Sequence, residues 1–415
     1  NTLKNIKTVK IYLTILILLV AGQLVYSFFL PSCGLNDNWL PISSYLPKFE
    51  SQGSDNFFVA KLLPLVPEGY RLNSDVGNYI ELALNFNRQY FQGHVFMGRP
   101  LYPFLIAAVS LPFRLFLGDS YGVIFASAIL LNFLLLSGAV ILFFYFLRSL
   151  FSLRIAFFSS VLLIFSPFVH VSLWQPMAEM LMLFTAALSA FLLSRYIKKP
   201  ALWRLILFSF IIGALMLGKM FFAVSFFILL LALYFRRYKE GIIFLAVQFL
   251  PLLLWYLWVT KIWVIPYYSA EIQHWGMGVW IFALLKGPWF ETFRTLLTVV
   301  PNFLKALIYG FLLIPVIFSA IGWRALAWKD KAVFYFAPFL AIMGLEFLVN
   351  LYSPHHAFLL FPLIYPTAIL GMDKAADVLK RHRWPAGIFY AFIFAAIIIV
   401  SSMDIYKVFS YLYFV

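Results

Sequence analysis

The residues best suited to chemistry in this sequence are ionisable side chains that border or interrupt long apolar segments. Aspartate and glutamate can accept protons, whereas arginine, lysine and histidine can donate hydrogen bonds to anionic groups. Charged residues among apolar segments are costly to bury, and they usually line a polar cavity or pair with one another. The candidates that fall near the same end of their segments are Asp75, Arg99, Glu179, Lys219, His274, Glu346, His355 and His356. They predict one polar site, covered by two long loops.

Four of these candidates also have a simpler structural interpretation. Asp75 is preceded by Ser74, and both residue types are favourable helix caps. Glu179 suits the first turn of a helix, because an acid there is stabilised by the helix dipole. Arg99 and Lys219 could extend their side chains to lipid phosphates. The sequence alone leaves these alternatives open.

The two adjacent histidines raise the question of a metal site. His355 and His356 follow Ser353-Pro354 and could be polar residues at a membrane interface. As a pair of metal ligands they are poorly placed, because adjacent residues on a helix point apart. No carboxylate is close to them in sequence. A divalent metal is therefore not predicted, although one would be compatible with the site.

The composition is typical of a membrane protein. The 415 residues are 64% apolar and 11% charged, whereas soluble domains have about 45–50% and about 25%. The net charge of +15 would suggest nucleic acid in a soluble protein, but here the basic residues lie between apolar runs. That arrangement is a topology signal, so nucleic acid is not a predicted partner. Cys33 is the single cysteine, which excludes a disulfide within the chain.

The apolar runs predict an all-α integral membrane protein, a single domain over 1–415 with about eleven transmembrane helices. The first run follows three lysines and has no clear small-residue cleavage site, so we interpret it as a retained anchor. Two long extracytoplasmic loops, 31–120 and 261–300, separate the spans. The predicted spans are 11–30, 121–147, 153–173, 177–196, 203–217, 219–235, 241–260, 301–321, 332–351, 355–372 and 385–403.

The basic residues orient these spans. If 100–117 does not cross the membrane, one side receives 19 of the 31 Lys and Arg residues, all in short loops or the N-terminal tail. Because cytoplasmic loops carry the excess of Lys and Arg, this places the N-terminus inside and the C-terminus outside. If 100–117 crossed, every later cluster would change sides. We therefore predict a juxtamembrane or re-entrant helix over 100–117.

A second helix is predicted within the first loop, starting near Asp75. Apolar residues recur there at spacings of three and four, which is the pattern of one apolar stripe on a helix. The stripe consists of Val76, Tyr79, Ile80, Ala83, Phe86 and Tyr90. A helix of this kind lies in the membrane surface rather than across it.

The segments around Asp75 and Arg99 together resemble a known family. Ser74-Asp75-Val76-Gly77-Asn78-Tyr79, followed about twenty residues later by Gly98-Arg99-Pro100-Leu101-Tyr102-Pro103, resembles the first loop of GT-C glycosyltransferases. More narrowly, it is similar to the bacterial relatives of protein O-mannosyltransferases and lipid A aminoarabinose transferases. The landmarks that agree are the basic turn 148–154, Phe165-Ser166-Pro167 ahead of Glu179, the short helices broken at Lys219, and His355-His356 ahead of prolines.

The resemblance implies an inverting glycosyltransferase that moves a sugar from a polyprenyl-phosphate donor to an extracytoplasmic lipid, glycan or protein. By matching position, Asp75 would be the catalytic base, since an inverting transfer needs a carboxylate to take the acceptor proton. Arg99 would bind the leaving phosphate, which suits the arginine fork. Further substrate- or phosphate-binding residues would be Lys219, His355, His356, Glu179 and Tyr102. The two histidines depart from the family, because many members carry Arg-Tyr there.

The same resemblance implies where the protein works and with what. It predicts a bacterial cytoplasmic (inner) membrane protein whose site faces away from the cytoplasm. The predicted partners are the lipid-linked sugar donor, membrane lipids and the acceptor, and we expect a monomer. No cofactor is assigned.

Two other classes of function stay open. A transporter or lipid-linked-sugar flippase would place polar groups near the bilayer midplane on broken helices, whereas these candidates lie at outer helix ends and in one loop. A scaffold protein would explain each charge by capping or by contact with lipid. The sequence has no P-loop, Gly-x-Ser-x-Gly, His-Glu-x-x-His or Cys-x-x-Cys motif, which argues against ATP-driven transport and zinc hydrolysis.

Overall fold

Helices make up most of the chain that the structure, a computed structural model, describes. The described residues are 2–29, 39–41, 71–73, 75–92, 95–218, 237–267, 290, 307–308, 310–324, 326, 358–381 and 385–402. The predicted spans 219–235 and 332–351 lie outside them. So do five of the candidate residues, namely Lys219, His274, Glu346, His355 and His356.

The first half of the chain begins with the helix α1 (Thr2–Phe29). The described residues of the first predicted loop include two strands, β1 (Trp39–Pro41) and β2 (Arg71–Asn73). They also include the helices α2 (Asp75–Leu84), α3 (Arg88–Phe91) and α4 (Leu101–Leu117). A 3₁₀ turn over Val95–Gly98 precedes α4.

The remaining described helices follow in chain order. They are α5 (Tyr121–Arg148), α6 (Leu153–Ile164), α7 (Pro167–Ser172), α8 (Glu179–Lys198), α9 (Leu202–Met216), α10 (Tyr238–Leu257), α11 (Leu313–Trp323), α12 (Phe361–Arg381) and α13 (Ala386–Ser402). A π turn, Trp258–Ile262, continues α10. A 3₁₀ turn, Phe358–Leu360, leads into α12.

One short strand pair accompanies the helices, and the all-α fold class is unchanged by it. β1 and β2 pair antiparallel, with Leu40 opposite Leu72. The pair is only three residues long on each side, and the apolar periodicity of 31–120 gave no sign of it. Its consequence is local: the end of β2 at Asn73 is fixed two residues before Asp75.

The helix predicted from Val76 to Tyr90 is broken into α2 and α3. Asn87 starts α3, because its side-chain oxygen accepts hydrogen bonds from the backbone N–H groups of Gln89 and Tyr90 at 3.0 and 3.4 Å. Tyr90 is 42% exposed and therefore does not continue the buried stripe. The buried face of α2 contacts α4 and α5, so protein rather than lipid covers it.

The predicted span 153–173 is also two helices, α6 and α7. The break falls at Ser166, whose hydroxyl accepts a hydrogen bond from the Val169 backbone N–H at 3.2 Å. Pro167 follows at the first position of α7, where a missing N–H costs nothing. A capping serine followed by proline starts a new helix inside an otherwise continuous apolar run.

Helix α12 extends beyond the C-terminal end of the predicted span 355–372. The apolar run stops near Met372, but the helix continues to Arg381 through residues that include Asp373 and Asp377. Lys380, which we assigned to a loop, therefore lies in the last turn of α12. A polar extension of this kind emerges from the apolar layer without ending the helix.

The protein is a helical membrane protein. Within the described residues, five helices are long and apolar enough to cross a bilayer: Lys7–Phe28, Tyr121–Arg148, Glu179–Tyr196, Tyr238–Ile262 and Phe358–Arg381. Large apolar side chains are exposed on several of the helices, including Leu18 at 65%, Phe116 at 87%, Ile242 at 67% and Phe392 at 71%. Apolar surface on this scale is normally covered by lipid or by a partner.

Glycines allow two helices to approach closely at one crossing. A Cβ atom on Gly322 of α11 would overlap the Thr367 carbonyl oxygen of α12. A Cβ atom on Gly371 of α12 would likewise overlap the Phe318 carbonyl oxygen. Small residues at such contacts are the usual means of packing helices in membranes. The crossing fixes α12, which carries Asp373 two residues later.

Contacts between helix ends gather several predicted basic loops at one end of the protein, here called the basic end. Arg154 pairs with Asp373 at 2.9 Å. Lys198 donates a hydrogen bond to the Ser149 carbonyl at 3.4 Å. The Tyr196 hydroxyl donates a hydrogen bond to Glu240, which also pairs with an arginine. The described basic residues within 148–154, 195–204, 237–240 and 374–381 therefore share one end of the helices.

Candidate functional site

Three separate segments bring their polar side chains together around Tyr79. Arg99, which follows the 3₁₀ turn, donates a hydrogen bond to the Tyr79 hydroxyl. Asp75 and Glu179 both act on that hydroxyl through their charges, and Glu179 also acts on Tyr102. We call these five residues the Tyr79 cluster. It contains four of the seven site residues predicted from the sequence.

Tyr79 lies at the centre of the cluster, although it is not one of the predicted site residues. Its side chain is 2% exposed. Burial raises the pKa of Tyr79 well above its usual range, and the charges of Glu179 and Asp75 add to this effect, while Arg99 opposes it. Tyr79 is therefore a neutral hydroxyl that accepts a hydrogen bond from a cation. The hydroxyl holds the Arg99 side chain and, being neutral, does not neutralise the positive charge of the guanidinium group.

Tyr102 ties the cluster to the helix bundle. Its ring packs edge-on against the Tyr79 ring, with the centroids 5.3 Å apart. Its hydroxyl donates a hydrogen bond of 2.7 Å to the Asn132 side-chain oxygen. Tyr102 is in the first turn of α4 and Asn132 is in α5, so this bond sets the depth of α4 beside α5.

Asn132 also holds the turn that leads to Glu179. Its amide nitrogen donates hydrogen bonds to the carbonyls of Leu173 at 3.2 Å and Gln175 at 2.8 Å. These carbonyls belong to the turn that joins α7 to α8, and Glu179 is the first residue of α8. One fully buried amide therefore connects α4, α5 and the turn before Glu179.

The two carboxylates of the cluster differ in their access to solvent. Glu179 is 6% exposed, and it occupies the helix N-terminus where the dipole favours a negative charge. Asp75, the first residue of α2, is only partly buried. Both therefore occupy the helix starts that the simpler interpretation assigned to them, but they also share one polar cluster. Asp75 is the carboxylate that an incoming molecule can reach.

The backbone on both sides of Arg99 forms hydrogen bonds with other helices. The Trp255 indole N–H, from α10, donates to the Met97 carbonyl at 2.9 Å. The Leu101 backbone N–H donates to the Leu217 carbonyl, at the end of α9, at 3.2 Å. These contacts fix Arg99 between α9 and α10. Arg99 is therefore not placed like a side chain that extends freely towards lipid phosphates.

The segment that leads to Lys219 reaches the same region. Gly218 lies against Leu181 in the first turn of α8, because a Cβ atom on this glycine would overlap the Leu181 side chain. Its neighbour Leu217 bonds to Leu101, as described above. The residue just before Lys219 is therefore beside both the Arg99 turn and the helix that Glu179 begins. Lys219 itself is outside the described residues.

The segment that follows His356 packs against α7. The Phe358 ring stacks on the Phe168 ring with the centroids 4.3 Å apart and the planes 13° apart. Both rings are buried. His355 and His356 are outside the part of the chain that the structure describes, so their assignment stays a prediction.

Aromatic residues link the start of the second long loop to the first. Phe91 of α3 lies 5.8 Å from the Trp255 ring and 5.5 Å from the Trp263 ring, measured between centroids. Trp263 follows the π turn at the end of α10. The described start of the second loop therefore contacts the first loop, and the covering of the site by both loops stays a prediction. The rest of 261–300, apart from residues up to 267 and residue 290, is outside the description.

The site's depth can be expressed as a distance from the basic end. At a rise of about 1.5 Å per residue, α8 separates Glu179 from Lys198 by about 28 Å. The same rise separates Asn132 from Arg148 along α5 by about 24 Å. The hydrocarbon core of a bilayer is about 30 Å thick. The Tyr79 cluster therefore lies nearly one bilayer thickness from the basic end.

Sequence reasoning missed two members of this arrangement. Tyr79 was assigned to an apolar stripe, where its ring does pack, but its hydroxyl accepts the bond from Arg99. Asn132 was not singled out within the span 121–147. It is the only charged or amide side chain in that run, and a polar residue at membrane depth is a signal of function in itself.

The cluster combines an accessible carboxylate, a buried carboxylate and an arginine in a mostly dehydrated setting. Such a setting can accept a proton and stabilise an anionic group within one small volume. Among the described residues, no group of three or more His, Cys, Asp or Glu side chains is arranged to hold a metal ion.

Comparison of the chain with protein-family models, with curated proteins and with solved structures found no match. The arrangement of side chains is therefore the evidence from which a function is argued.

Proposed function

We propose that this protein is an inverting membrane glycosyltransferase that uses a polyprenyl-phosphate sugar donor. The observation that carries the proposal is the convergence of Asp75, Arg99, Tyr102 and Glu179 around Tyr79. These residues come from three separate parts of the sequence. Capping and contact with lipid explain each charge separately, but they give no reason for one cluster.

In the proposed reaction, the acceptor hydroxyl oxygen attacks the anomeric carbon of the sugar as the bond from that carbon to the phosphate oxygen breaks. Asp75 takes the proton of the attacking hydroxyl, because it is the carboxylate that a substrate can reach. The polyprenyl phosphate leaves with the bonding electron pair. Attack opposite the leaving group inverts the configuration at the anomeric carbon.

Arg99 has the role of neutralising the leaving phosphate. A guanidinium group has five N–H donors, so the bond to Tyr79 leaves others for phosphate oxygens. Its backbone is fixed by the bonds at Met97 and Leu101. A cation held in place before the reaction stabilises the developing charge without reorganising. Lys219 and the two histidines would add to the same phosphate site.

Glu179 has an electrostatic role rather than a role in proton transfer. It is 6% exposed, so an acceptor has little access to it. Its negative charge beside Arg99 and the two tyrosines keeps the cationic side of the cluster balanced when no phosphate is bound. The reaction needs no second carboxylate as general acid, because a phosphate leaves without protonation.

The proposal includes the finer topology. With about eleven spans and 100–117 as a juxtamembrane or re-entrant helix, the basic end faces the cytoplasm of a bacterium and the Tyr79 cluster faces outwards. The distance of about 24 to 28 Å between them along α5 and α8 supports this assignment. A site of this kind would receive lipid-linked donors from the outer leaflet.

The decisive experiment substitutes Asp75 in the full-length purified protein. Asp75→Asn keeps the size and the capping ability of the side chain but removes the proton acceptor. We expect transfer from a panel of polyprenyl-phosphate sugars to fall by at least about 10²-fold, because a general base contributes about 10² to 10⁴. Donor binding, measured separately, is expected to stay within about threefold, since Asp75 does not hold the phosphate.

The matched control is Glu81→Gln, the same change of a carboxylate on the same helix. Glu81 is not among the charges that act on Tyr79. We expect the control to transfer sugar at the wild-type rate. Full activity of the Asp75→Asn protein, or movement of a lipid-linked sugar across vesicle membranes without any transfer, would contradict the proposal.

A further inference from the structure

A groove of about 800 Å³ opens at the basic end, far from the Tyr79 cluster. It is formed by α6, α12 and α13, with Leu19 of α1 at its floor. This volume falls within the range of about 300–1,000 Å³ that is usual for sites of small molecules. None of the residues assigned to the proposed glycosyl transfer lines it.

One end of the groove is charged and electrically balanced. Arg154 pairs with Asp373 at 2.9 Å, and Lys380 pairs with Asp377 at 3.1 Å. The Tyr390 hydroxyl donates a hydrogen bond to Asp373. The side chains of Arg154 and Asp377 are 52% and 68% exposed, so the pairs remain accessible. Exposed pairs of this kind contribute little by themselves and can exchange partners.

The rest of the groove is apolar and has the length of one leaflet. On α6 the lining runs from Arg154 to Phe165, which is about 16 Å at the helical rise. On α13 it runs from Ala386 to Ile398, which is about 18 Å. Half of the hydrocarbon core is about 15 Å thick. An acyl chain laid in this groove would therefore have its headgroup at the charged end.

We infer that the groove binds one phosphatidylethanolamine molecule from the leaflet at the basic end. Its phosphate would take the place of a carboxylate beside Arg154 or Lys380, and its ammonium group would then bond to the displaced carboxylate. Both cations that line the groove already have carboxylate partners, so the lining itself offers a purely anionic headgroup no net positive charge. A choline headgroup balances the charge but has no N–H to donate to a carboxylate.

Native mass spectrometry of the full-length protein would test this inference. The delipidated protein would be mixed with equal amounts of phosphatidylethanolamine, phosphatidylcholine and phosphatidylglycerol that carry the same acyl chains. We expect one phosphatidylethanolamine to be retained about fivefold more than phosphatidylglycerol, with phosphatidylcholine between them. Equal or stronger retention of phosphatidylglycerol would overturn the inference, and so would the absence of bound lipid.

A blocking variant identifies the groove as the place of binding. Gly387 lines the groove, and a Cβ atom there would meet nothing within 4 Å, so Gly387→Trp fills the space without a backbone clash. Gly22→Trp is the matched control, because Gly22 is equally open but does not line the groove. We expect at least a fivefold loss of bound phosphatidylethanolamine in the first variant and no change in the control. Wild-type retention by the Gly387 variant would overturn the inference.

A second variant tests the headgroup contacts and serves if the Gly387 variant fails to fold. Asp377→Asn removes the more exposed carboxylate and leaves the rim with a net positive charge. We expect its preference to reverse, so that phosphatidylglycerol is retained at least twofold more than phosphatidylethanolamine. An unchanged preference would show that Asp377 does not contact the headgroup and would overturn the inference.

Discussion

The protein contains the same three kinds of side chain, an arginine, a tyrosine and a carboxylate, grouped at both ends of the helix bundle. At one end Arg99 donates a hydrogen bond to the hydroxyl of Tyr79, which is 2% exposed. At the basic end Arg154 pairs with Asp373 at 2.9 Å and lies over the Tyr390 ring at 4.7 Å. The side chains of that ion pair are 52% and 29% exposed. Both tyrosines are buried, but Arg154 is exposed whereas Arg99 is partly buried, so the exposure of the arginine distinguishes the two groups.

The direction of the hydrogen bonds differs as well. In the Tyr79 cluster the tyrosine accepts a bond from the cation, so the arginine keeps its full charge in a buried setting. At the basic end the tyrosine, which is 8% exposed, donates to the carboxylate, and solvent reaches the arginine and the carboxylate. Exposed ion pairs contribute about 0–1 kcal/mol, whereas removing one partner from a buried charged pair costs about 3–5 kcal/mol. Identical chemistry should therefore give unequal effects when the two ends are mutated.

The largest contrast is expected between the two arginines. Arg99→Gln removes the charge that would stabilise the leaving phosphate, and the loss of one such group costs about 10² to 10³ in turnover. Arg154→Gln should change turnover by less than about threefold. The measurement is the rate of sugar transfer at saturating donor, with donor affinity measured in parallel. Equal losses for both variants would show that the two ends do not differ in function.

A large effect on stability is expected at the residue that supports the buried group. Asn132→Leu leaves the Leu173 and Gln175 carbonyls without their donor, and buried unpaired groups cost about 1–3 kcal/mol each. We expect the free energy of unfolding in detergent to fall by about 2–4 kcal/mol. The control, Ser189→Ala, removes a buried hydroxyl that bonds only to Thr185 of its own helix, and it should cost less than about 1 kcal/mol. A loss of that smaller size for both variants would mean that Asn132 does not hold the segments together.

A smaller effect is expected from removing each tyrosine hydroxyl. Tyr79→Phe takes away the group that orients Arg99, and a hydrogen bond to a charged group is worth about 1.5–3 kcal/mol. Transfer should therefore fall by about tenfold or more, and a normal pH profile should remain because Tyr79 does not titrate in the accessible range. Tyr390→Phe should leave transfer within about twofold of wild type. The proposal for Arg99 would be weakened by a Tyr79→Phe protein with full activity.

The smallest effect is expected at a third ion pair, Arg114–Asp119, because its carboxylate is more exposed than Asp373. Arg114 donates a hydrogen bond to Asp119, whose side chain is 65% exposed, and this bond holds the pKa of Asp119 below its usual value. A carboxylate with a lowered pKa stabilises the fold above the unfolded-state pKa of about 3.9, and this stabilisation is lost as the pH falls through the folded-state pKa. Asp119→Asn should lower the free energy of unfolding by less than about 1 kcal/mol at pH 7.

The free energy of unfolding of the Asp119→Asn protein, measured across pH, tests the effect of the ion pair with the more exposed carboxylate. The difference from wild type should shrink as the pH falls below about 4, because the wild-type carboxylate becomes neutral as well. A difference larger than that of the Asn132 variant would contradict the ranking by burial.

Most helices could be placed from the sequence because apolar runs of membrane length determine them locally. α5 and α8 begin and end within a few residues of the spans predicted at 121–147 and 177–196. The breaks were predicted less well. Ser166 and Asn87 each start a new helix through a side-chain bond to a nearby backbone N–H. Serine and asparagine occur in the sequence both where they cap a helix and where they do not, so the residue type alone does not mark these breaks.

The charged residues of the candidate site and Tyr102 were predicted from the sequence, whereas Tyr79 and Asn132 were not. Asp75, Arg99 and Glu179 stood out because a charge among apolar segments demands an explanation. Tyr79 and Asn132 carry no charge, and each fits a helix of its predicted type. Their hydrogen bonds join residues far apart in the chain, such as Tyr102 with Asn132 and Asn132 with Gln175. No local pattern specifies a bond of this kind.

The sequence by itself determined that the protein is a helical membrane protein, since the cost of burying a backbone in lipid leaves few alternatives to a helix. It also determined which charges need partners. Only the tertiary structure decided which charges meet, because that depends on the depth at which each helix packs against its neighbours. The Tyr102–Asn132 bond fixes that depth for α4, and Arg99 meets Tyr79 rather than lipid as a result.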